Sequence, residues 1–185
     1  TEMRVGVINF DSLGADPAVN GELALNSADM KVYSDGYVKN LSRIPEFIRK
    51  TADETVNNST TLVNDAAFSF AVAASDIWYF MGWLLVNSGT TPDIKFSWSL
   101  PAGATIKWAF LSNTDLSAAT VTALNVDTGQ IEVGTNGSDE MVIVFGIITV
   151  STTAGTAQLQ WAQNTVNGSD TKVLANSVLQ RWLIG

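Results

Sequence analysis

The sequence contains no cysteine and no histidine among its 185 residues. The lack of cysteine excludes disulfide bonds and thiolate zinc sites. The lack of histidine removes the commonest general base and the commonest neutral metal ligand, and with them every Ser-His-Asp or Cys-His arrangement for nucleophilic catalysis. A chain of this length can bury a hydrophobic core of its own, so we expect folding without a metal or a disulfide.

Basic residues and long apolar runs are also scarce. Ten Lys and Arg stand against 18 Asp and Glu, and the net charge is -8. Such a charge repels phosphate backbones and anionic membranes. The most apolar stretch, residues 77–86, has about half of the ~20 residues that a membrane-spanning helix requires. We therefore expect a soluble protein that binds neither nucleic acid nor membrane.

Recognisable catalytic and metal-binding motifs are missing as well. There is no phosphate-binding loop with its lysine and no Gly-x-Ser-x-Gly elbow. Residues 134–140 and 164–170 concentrate oxygen ligands, but neither segment has the spacing of an EF-hand loop, which favours ordinary turns. We predict a non-enzymatic protein with no catalytic residue, no metal site and no cofactor.

Short strands alternate with turn residues along most of the chain, and no amphipathic helix of about ten residues appears. This spacing predicts an all-β protein, an antiparallel, jelly-roll-like β-sandwich preceded by an extended N-terminal arm and a β-hairpin. The predicted strands are 60–63, 68–73, 77–86, 94–100, 105–111, 120–126, 130–133, 140–150, 156–163, 171–174 and 177–184.

Composition divides the chain into four parts. Residues 1–20 form the extended arm, or a frayed terminus. Residues 21–44 form the hairpin, because Asp35-Gly36 between alternating apolar residues is a strong hairpin signal. Residues 45–54 are interpreted as a linker with room for one helical turn, and residues 55–185 as the β-sandwich domain.

Three apolar runs within the predicted strands, residues 77–86, 141–150 and 178–184, are apolar on both faces or nearly so. An antiparallel sheet normally has one face in water, so something must cover the second face. A loop of the same chain, another subunit and a bound ligand are the alternatives. If a subunit covers it, we predict that the interface includes Trp78, Phe80, Trp83, Leu85, Phe145 and Trp182.

The N-terminal parts carry apolar residues that a simple tether would not need. They can dock on a partner by adding backbone to the edge of a sheet, with alternate side chains entering pockets. The residues predicted to make this attachment are Val5, Val7, Ile8, Phe10, Leu25, Val32 and Tyr33.

The segment Gly21-Glu-Leu-Ala-Leu-Asn-Ser-Ala-Asp-Met-Lys-Val-Tyr-Ser-Asp-Gly-Tyr-Val-Lys-Asn-Leu41 resembles a hairpin near the start of many phage fibre and decoration proteins. Residues 51–62, 88–96, 101–105 and 159–164 resemble a β-sandwich domain common in phage virion proteins. The resemblance implies a virion surface component, often trimeric, whose N-terminal part attaches to the particle.

Within that group, the lack of shaft repeats favours a capsid decoration protein or a short head fibre over a long tail fibre. The expected partners are further copies of this chain in a homotrimer and the major capsid protein or another virion protein. The expected location is the virion, after synthesis in the host cytoplasm, and Thr1 would fit removal of an initiator methionine. The alternative is a receptor-binding or glycan-binding module of a tail fibre, whose partner would be a host surface glycan.

Overall fold

The computed structural model describes residues 23–25, 30–34, 37–40, 45–112, 125–126 and 129–185. The chain divides into two compact units, residues 1–44 and residues 45–185, which are described separately. Every regular element in the described residues is a β-strand, and every strand pairing is antiparallel. The all-β prediction is confirmed.

The first unit contains a three-stranded sheet. Its strands are β1 (Leu23–Leu25), β2 (Met30–Ser34) and β3 (Tyr37–Asn40), in the order β1-β2-β3. Ser34 pairs with Tyr37, so two residues connect β2 to β3, which confirms the hairpin expected at Asp35-Gly36. Among the predicted attachment residues, Leu25, Val32 and Tyr33 belong to β1 and β2. The other four, Val5, Val7, Ile8 and Phe10, lie outside the described residues.

The second unit is a sandwich of two antiparallel sheets. Its strands are β4 (Glu46–Arg49), β5 (Glu54–Val56), β6 (Val63–Val72), β7 (Ile77–Ser88), β8 (Ile94–Ser99), β9 (Thr105–Ser112), β10 (Asn125–Val126), β11 (Ile131–Val133), β12 (Asp139–Thr149), β13 (Gly155–Gln163), β14 (Thr171–Val173) and β15 (Val178–Leu183). The smaller sheet has the order β6-β13-β8-β11. The larger sheet contains the series β10-β9-β12-β7.

These eight strands, β6 to β13, have jelly-roll connectivity. In one sheet β6 pairs with β13, β13 with β8 and β8 with β11. In the other sheet β7 pairs with β12, β12 with β9 and β9 with β10. Counted from β6, these are the strand orders 1-8-3-6 and 2-7-4-5. Two interlocked Greek keys of this kind define the jelly roll. The predicted architecture is therefore confirmed in its topology.

Four short strands extend the larger sheet beyond β7. β14 pairs with one half of β7 and β15 with the other half, β5 adds to β14, and β4 adds to β15. The predicted linker at 45–54 is thus wrong, because this segment carries β4 and the first residue of β5. Both strands find their partners more than a hundred residues further along the chain, where local composition gives no sign of them.

The hydrophobic core fills the space between the two sheets. All six tryptophans lie in strands, as predicted, and Trp98, Trp108 and Trp161 are almost wholly buried. Gly146 lets β12 approach β9 closely, since a Cβ at this position would collide with the carbonyl oxygen of Lys107 and with Trp108. The other core side chains come from both sheets and include Phe68, Phe70, Phe80, Leu84, Ile94, Phe96, Ile106, Val142, Ile148, Leu159 and Leu179.

Candidate interaction surface

Strand β7 presents one set of side chains to the core and another to the outside of the sandwich. Its even-numbered residues are buried, with Phe80, Leu84 and Val86 fully inaccessible. Its odd-numbered residues are only half-buried. Because successive side chains of a strand point to opposite faces, the odd set lies on the outer face of the larger sheet.

The neighbouring strands continue this outer surface in register. Met141, Ile143, Phe145 and Ile147 of β12 pair with odd residues of β7, and paired residues share a face. β9 and β15 extend it on either side. We call the resulting surface the outer apolar face. It consists of Ile77, Tyr79, Met81, Trp83, Leu85, Leu111, Met141, Ile143, Phe145, Ile147, Val178 and Trp182, with Phe47 of β4 at its margin.

The outer apolar face is wide and partly open. Phe47 is 65% exposed, Met141 47% and Ile147 42%. Four strands about 4.8 Å apart, each contributing about nine residues of about 3.4 Å rise, form a surface of about 600 Å². The apolar side chains within this surface are partly open to solvent, and exposed apolar patches mark interaction sites.

Charged residues stand at the margins of this face. By their pairing, Arg49 of β4, Lys107 of β9 and Lys172 of β14 share the outer surface of the sheet with the apolar residues. Asp139 begins β12 and accepts a hydrogen bond from Asn87. An apolar centre with a charged rim is the usual composition of a protein-protein interface.

Tyr79 and Trp182 form an aromatic pair on the outer apolar face. Their ring centroids are 4.2 Å apart and the rings are tilted by 37°. Trp83 stands in the same row of β7, two pleats along. Half-buried aromatic rings of this kind combine a large apolar area with a polar atom at the edge, which suits both protein interfaces and sugar faces.

The predicted interface residues fall on two different faces. Trp83, Leu85, Phe145 and Trp182 belong to the outer apolar face, and their burial by another subunit stays a prediction. Phe80 is fully buried between the sheets and Trp78 is 9% exposed, so both are core residues and the expectation that they contact a partner is corrected. The even-numbered side chains of β7 point into the core. Because both faces of this strand are apolar, the sequence alone does not indicate which face points inward.

Sequence reasoning missed several residues of this surface. Met141 and Ile147 are more exposed than the predicted interface residues, and both lie on the same side of β12 as Phe145. Their spacing from Phe145, four residues before it and two residues after it, indicates this shared side in the sequence. Phe47 was missed for another reason, because its strand had been interpreted as a linker.

The two oxygen-rich segments form hydrogen-bonded turns. Glu140 Oε1 accepts the backbone N–H of Asn136, and Asp170 Oδ1 accepts a hydrogen bond from the side chain of Asn57. This second bond, followed by the bond and charge of Lys172, holds the pKa of Asp170 below its ordinary value. Within the part of the chain that the structure describes, no three Asp or Glu side chains are grouped to hold a metal ion.

None of the described segments is a helix long and apolar enough to cross a membrane. No protein family profile matches this chain, and no curated protein sequence matches it.

Among solved structures, the chain is similar to one of infectious bursal disease virus, Gx strain, with 13% identity and a TM-score of 0.19. It is also similar to the VP2 subviral particle of infectious bursal disease virus, with 11% identity and a TM-score of 0.20. The two alignments cover 80% and 82% of this chain, but the chain spans only 43% and 44% of the viral chains. At these TM-scores the likeness says nothing about function.

Proposed function

We propose that this chain is a non-enzymatic structural protein of a bacteriophage particle, a capsid decoration or short head-fibre protein that assembles as a homotrimer. The observation that carries the proposal is the outer apolar face. A virion surface protein is a molecule whose function is to contact other proteins, and this sandwich offers a broad apolar surface for contact.

The occupant of the outer apolar face is a second copy of the same chain. The outer side of the four strands has a footprint of about 600 Å², which is of the same order as the roughly 800 Å² that each partner buries in a standard stable interface. The chain's net charge of -8 opposes association in general. Arg49 and Lys107 lie on this side of the sheet and locally offset that repulsion.

Two further observations support a virion role. The jelly roll is a recurrent architecture of viral capsid proteins, although lectins and cupins share it, so this support is an analogy at the level of the fold. The segment 21–41 resembles the attachment hairpin of phage fibre and decoration proteins, and its strands form the expected antiparallel sheet.

Attachment to the particle is assigned to the first unit, residues 1–44. A strand of this small sheet can extend the sheet of a capsid protein through backbone hydrogen bonds. In this proposal Val5, Val7, Ile8, Phe10, Leu25, Val32 and Tyr33 contact the major capsid protein or another virion protein. The protein is made in the host cytoplasm and functions on the virion surface.

Sedimentation of a matched pair of variants tests the assembly. Ile147→Asp places a charge on the outer apolar face, whereas Val166→Asp makes a similar change at an exposed apolar residue in the loop between β13 and β14, where Val166 is 58% exposed. We expect the wild type and Val166→Asp to sediment as trimers at micromolar concentration, and Ile147→Asp as a monomer with an unchanged far-UV circular dichroism spectrum. A wild-type monomer that binds no hydrophobic dye would refute the proposal.

The second candidate function is glycan binding by a tail-fibre module. The paired rings of Tyr79 and Trp182, together with half-buried Trp83, favour it, since sugars stack on such rings. A glycan array separates the two functions. Binding at sub-millimolar affinity that is lost in Trp182→Ala, by a protein that sediments as a monomer, would support the glycan-binding module and contradict the assembly proposal.

A further inference from the structure

A lysine and two carboxylates meet inside the sandwich, away from the outer apolar face. Lys50 follows β4 and is 2% exposed, and Asp65 lies in β6 and is 1% exposed. The Nζ of Lys50 is 2.8 Å from Oδ2 of Asp65 and 2.6 Å from Oε2 of Glu54, the first residue of β5. Lys50 and Glu54 belong to the side of the larger sheet and Asp65 to the smaller sheet, so the cluster bridges the two layers.

The backbone holds each member of this cluster in place. The N–H of Lys50 donates to the carbonyl of Ser177 and its carbonyl accepts from the N–H of Asn176, at 2.9 and 2.8 Å. This pairing with the chain just before β15 fixes the point from which the Lys50 side chain enters the interior.

The two carboxylates are oriented in the same way: one oxygen of each accepts backbone N–H groups, and the other oxygen contacts the amine of Lys50. Oδ1 of Asp65 accepts the N–H groups of Ala67 and Phe68 at 2.9 and 3.1 Å. Oε1 of Glu54 accepts the N–H of Ala66 at 2.9 Å. The remaining oxygen of each carboxylate therefore faces Nζ.

A buried ion pair needs only one carboxylate for one lysine, and a second carboxylate adds an uncompensated charge that is costly to desolvate. The side chain of Glu54 is 26% exposed and lies beside a recess of about 220 Å³ lined also by Ala66 and Ala67. The cluster thus combines a nucleophile, a carboxyl carbon, a second carboxylate on the nucleophile and an opening through which a water molecule can leave.

We propose that Lys50 and Asp65 join in an intramolecular isopeptide bond, with Glu54 as the proton carrier of the reaction. A proton first passes from the ammonium of Lys50 to Oδ2 of Asp65, which frees the lone pair of Nζ. The lone pair attacks Cγ of Asp65 and the new N–C bond forms. Glu54 then takes a second proton from Nζ and gives it to Oδ2, and the bond from Cγ to Oδ2 breaks as water leaves. An ammonium and a carboxylate become one neutral amide and one water, and no other reactant is needed.

The surroundings of the three residues favour this reaction. The N–H groups of Ala67 and Phe68 already contact Oδ1, the oxygen that becomes negative when Nζ attacks, so they stabilise the tetrahedral intermediate. Packing holds the amine against the carboxyl group, which replaces a bimolecular encounter. The Phe68 ring lies 5.8 Å from Nζ and helps to keep water away from the product.

Mass spectrometry of the full chain tests the bond. We expect the intact protein, under denaturing conditions, to be lighter than its sequence by the mass of one water molecule. Trypsin cuts after Arg49 but not after an acylated lysine, so the digest should contain residues 50–95 as one peptide lacking one water. The exposed pair Lys172 and Asp170, 3.3 Å apart at 35% and 49% exposure, is the internal control and should be cut after Lys172.

Two results with the wild-type protein would overturn the proposal. One is an intact mass equal to that of the full sequence. The other is a mass lower by one water combined with tryptic cleavage after Lys50, which is the result expected if an aspartate elsewhere in the chain had cyclised. The variant Glu54→Gln tests the proton carrier. We expect it to keep the far-UV spectrum of the wild type and the full sequence mass. Glu54→Gln that loses water as completely and as fast as the wild type would remove Glu54 from the mechanism.

Discussion

Replacing one of two phenylalanines on opposite faces of the larger sheet separates core packing from interface packing. Phe80 of β7 and Phe145 of β12 lie on adjacent strands, and Phe145 pairs with the next residue of β7, Met81. Phe80 is fully buried and its ring lies 4.8 Å from that of Trp98. Phe145 is half-buried on the outer apolar face. The chemical change, Phe to Ala, is identical at both positions.

Phe80→Ala should lower the free energy of unfolding by about 3–5 kcal/mol, because it removes a buried ring and leaves a cavity that the two sheets can close only in part. Phe145→Ala removes a ring that stays partly in water, so we expect about 1–2 kcal/mol in the dissociated chain. With a urea m-value of about 2 kcal/mol/M, the first change shifts the midpoint by about 1.5–2.5 M and the second by less than about 1 M.

Urea unfolding followed by circular dichroism, at two protein concentrations, measures both effects. The midpoint shift of Phe80→Ala should not depend on concentration, whereas that of Phe145→Ala should grow with concentration if association buries the ring. Equal shifts at the lower concentration, or a larger one for Phe145→Ala, would show that the faces of the larger sheet have been assigned the wrong way round.

Three further predictions concern other parts of the chain. Deleting residues 1–44 should leave a folded β-sandwich by circular dichroism that no longer binds particles lacking the protein; full occupancy by the truncated chain would place attachment on the sandwich. Gly146→Ala should lower the thermal midpoint or prevent folding, since the added methyl group meets the backbone carbonyl of Lys107, which cannot move aside; an unchanged midpoint would contradict the close approach of β9 and β12. In an NMR titration, Asp170 should protonate below its ordinary 3.8 and closer to it in Asn57→Ala; its small contribution to stability is present above pH 3.8 and is lost as the pH falls through the lower, folded-state pKa.

Much of the jelly roll could be predicted from local patterns. Strands β7, β8, β9, β12 and β13 begin and end within two residues of the ranges expected from apolar runs and turn residues. Gly103 in the predicted turn 101–103 has a φ of +77°, a conformation that glycine adopts without strain and that marks a turn in the sequence. Such signals are local. They are sufficient to predict a strand whose own residues favour the extended conformation and whose ends are marked by turn residues.

The strands that were missed depend on distant residues. β4 and β5 are short and charged, and their own composition is that of a connecting segment. They are strands because Arg49 pairs with Val178 and Thr55 with Lys172. A single sequence contains no record of such pairings, so residues 45–54 could not be distinguished from a linker.

The candidate site was predicted in part for a related reason. That β7 has two apolar faces was evident from its residues, but which face is the core depends on the strands that pack across it. Phe80 and Trp83 were therefore equally good interface candidates. The cluster of Lys50, Glu54 and Asp65 gave no signal at all, because three charged residues in a polar stretch resemble a solvated surface until the two sheets bring them together.

The pairing of β4 with β15 affects how the protein forms on the ribosome. Glu46 and Arg181, which contact each other across this pairing, are 135 residues apart in sequence. Strand β4 is synthesised early and must wait for nearly the whole of the second unit before its partner emerges, while β7 waits with one edge open. Contacts between such distant residues form slowly, and an unpaired apolar edge invites aggregation during that delay. We expect the second unit to complete its larger sheet only after β15 has emerged from the ribosome.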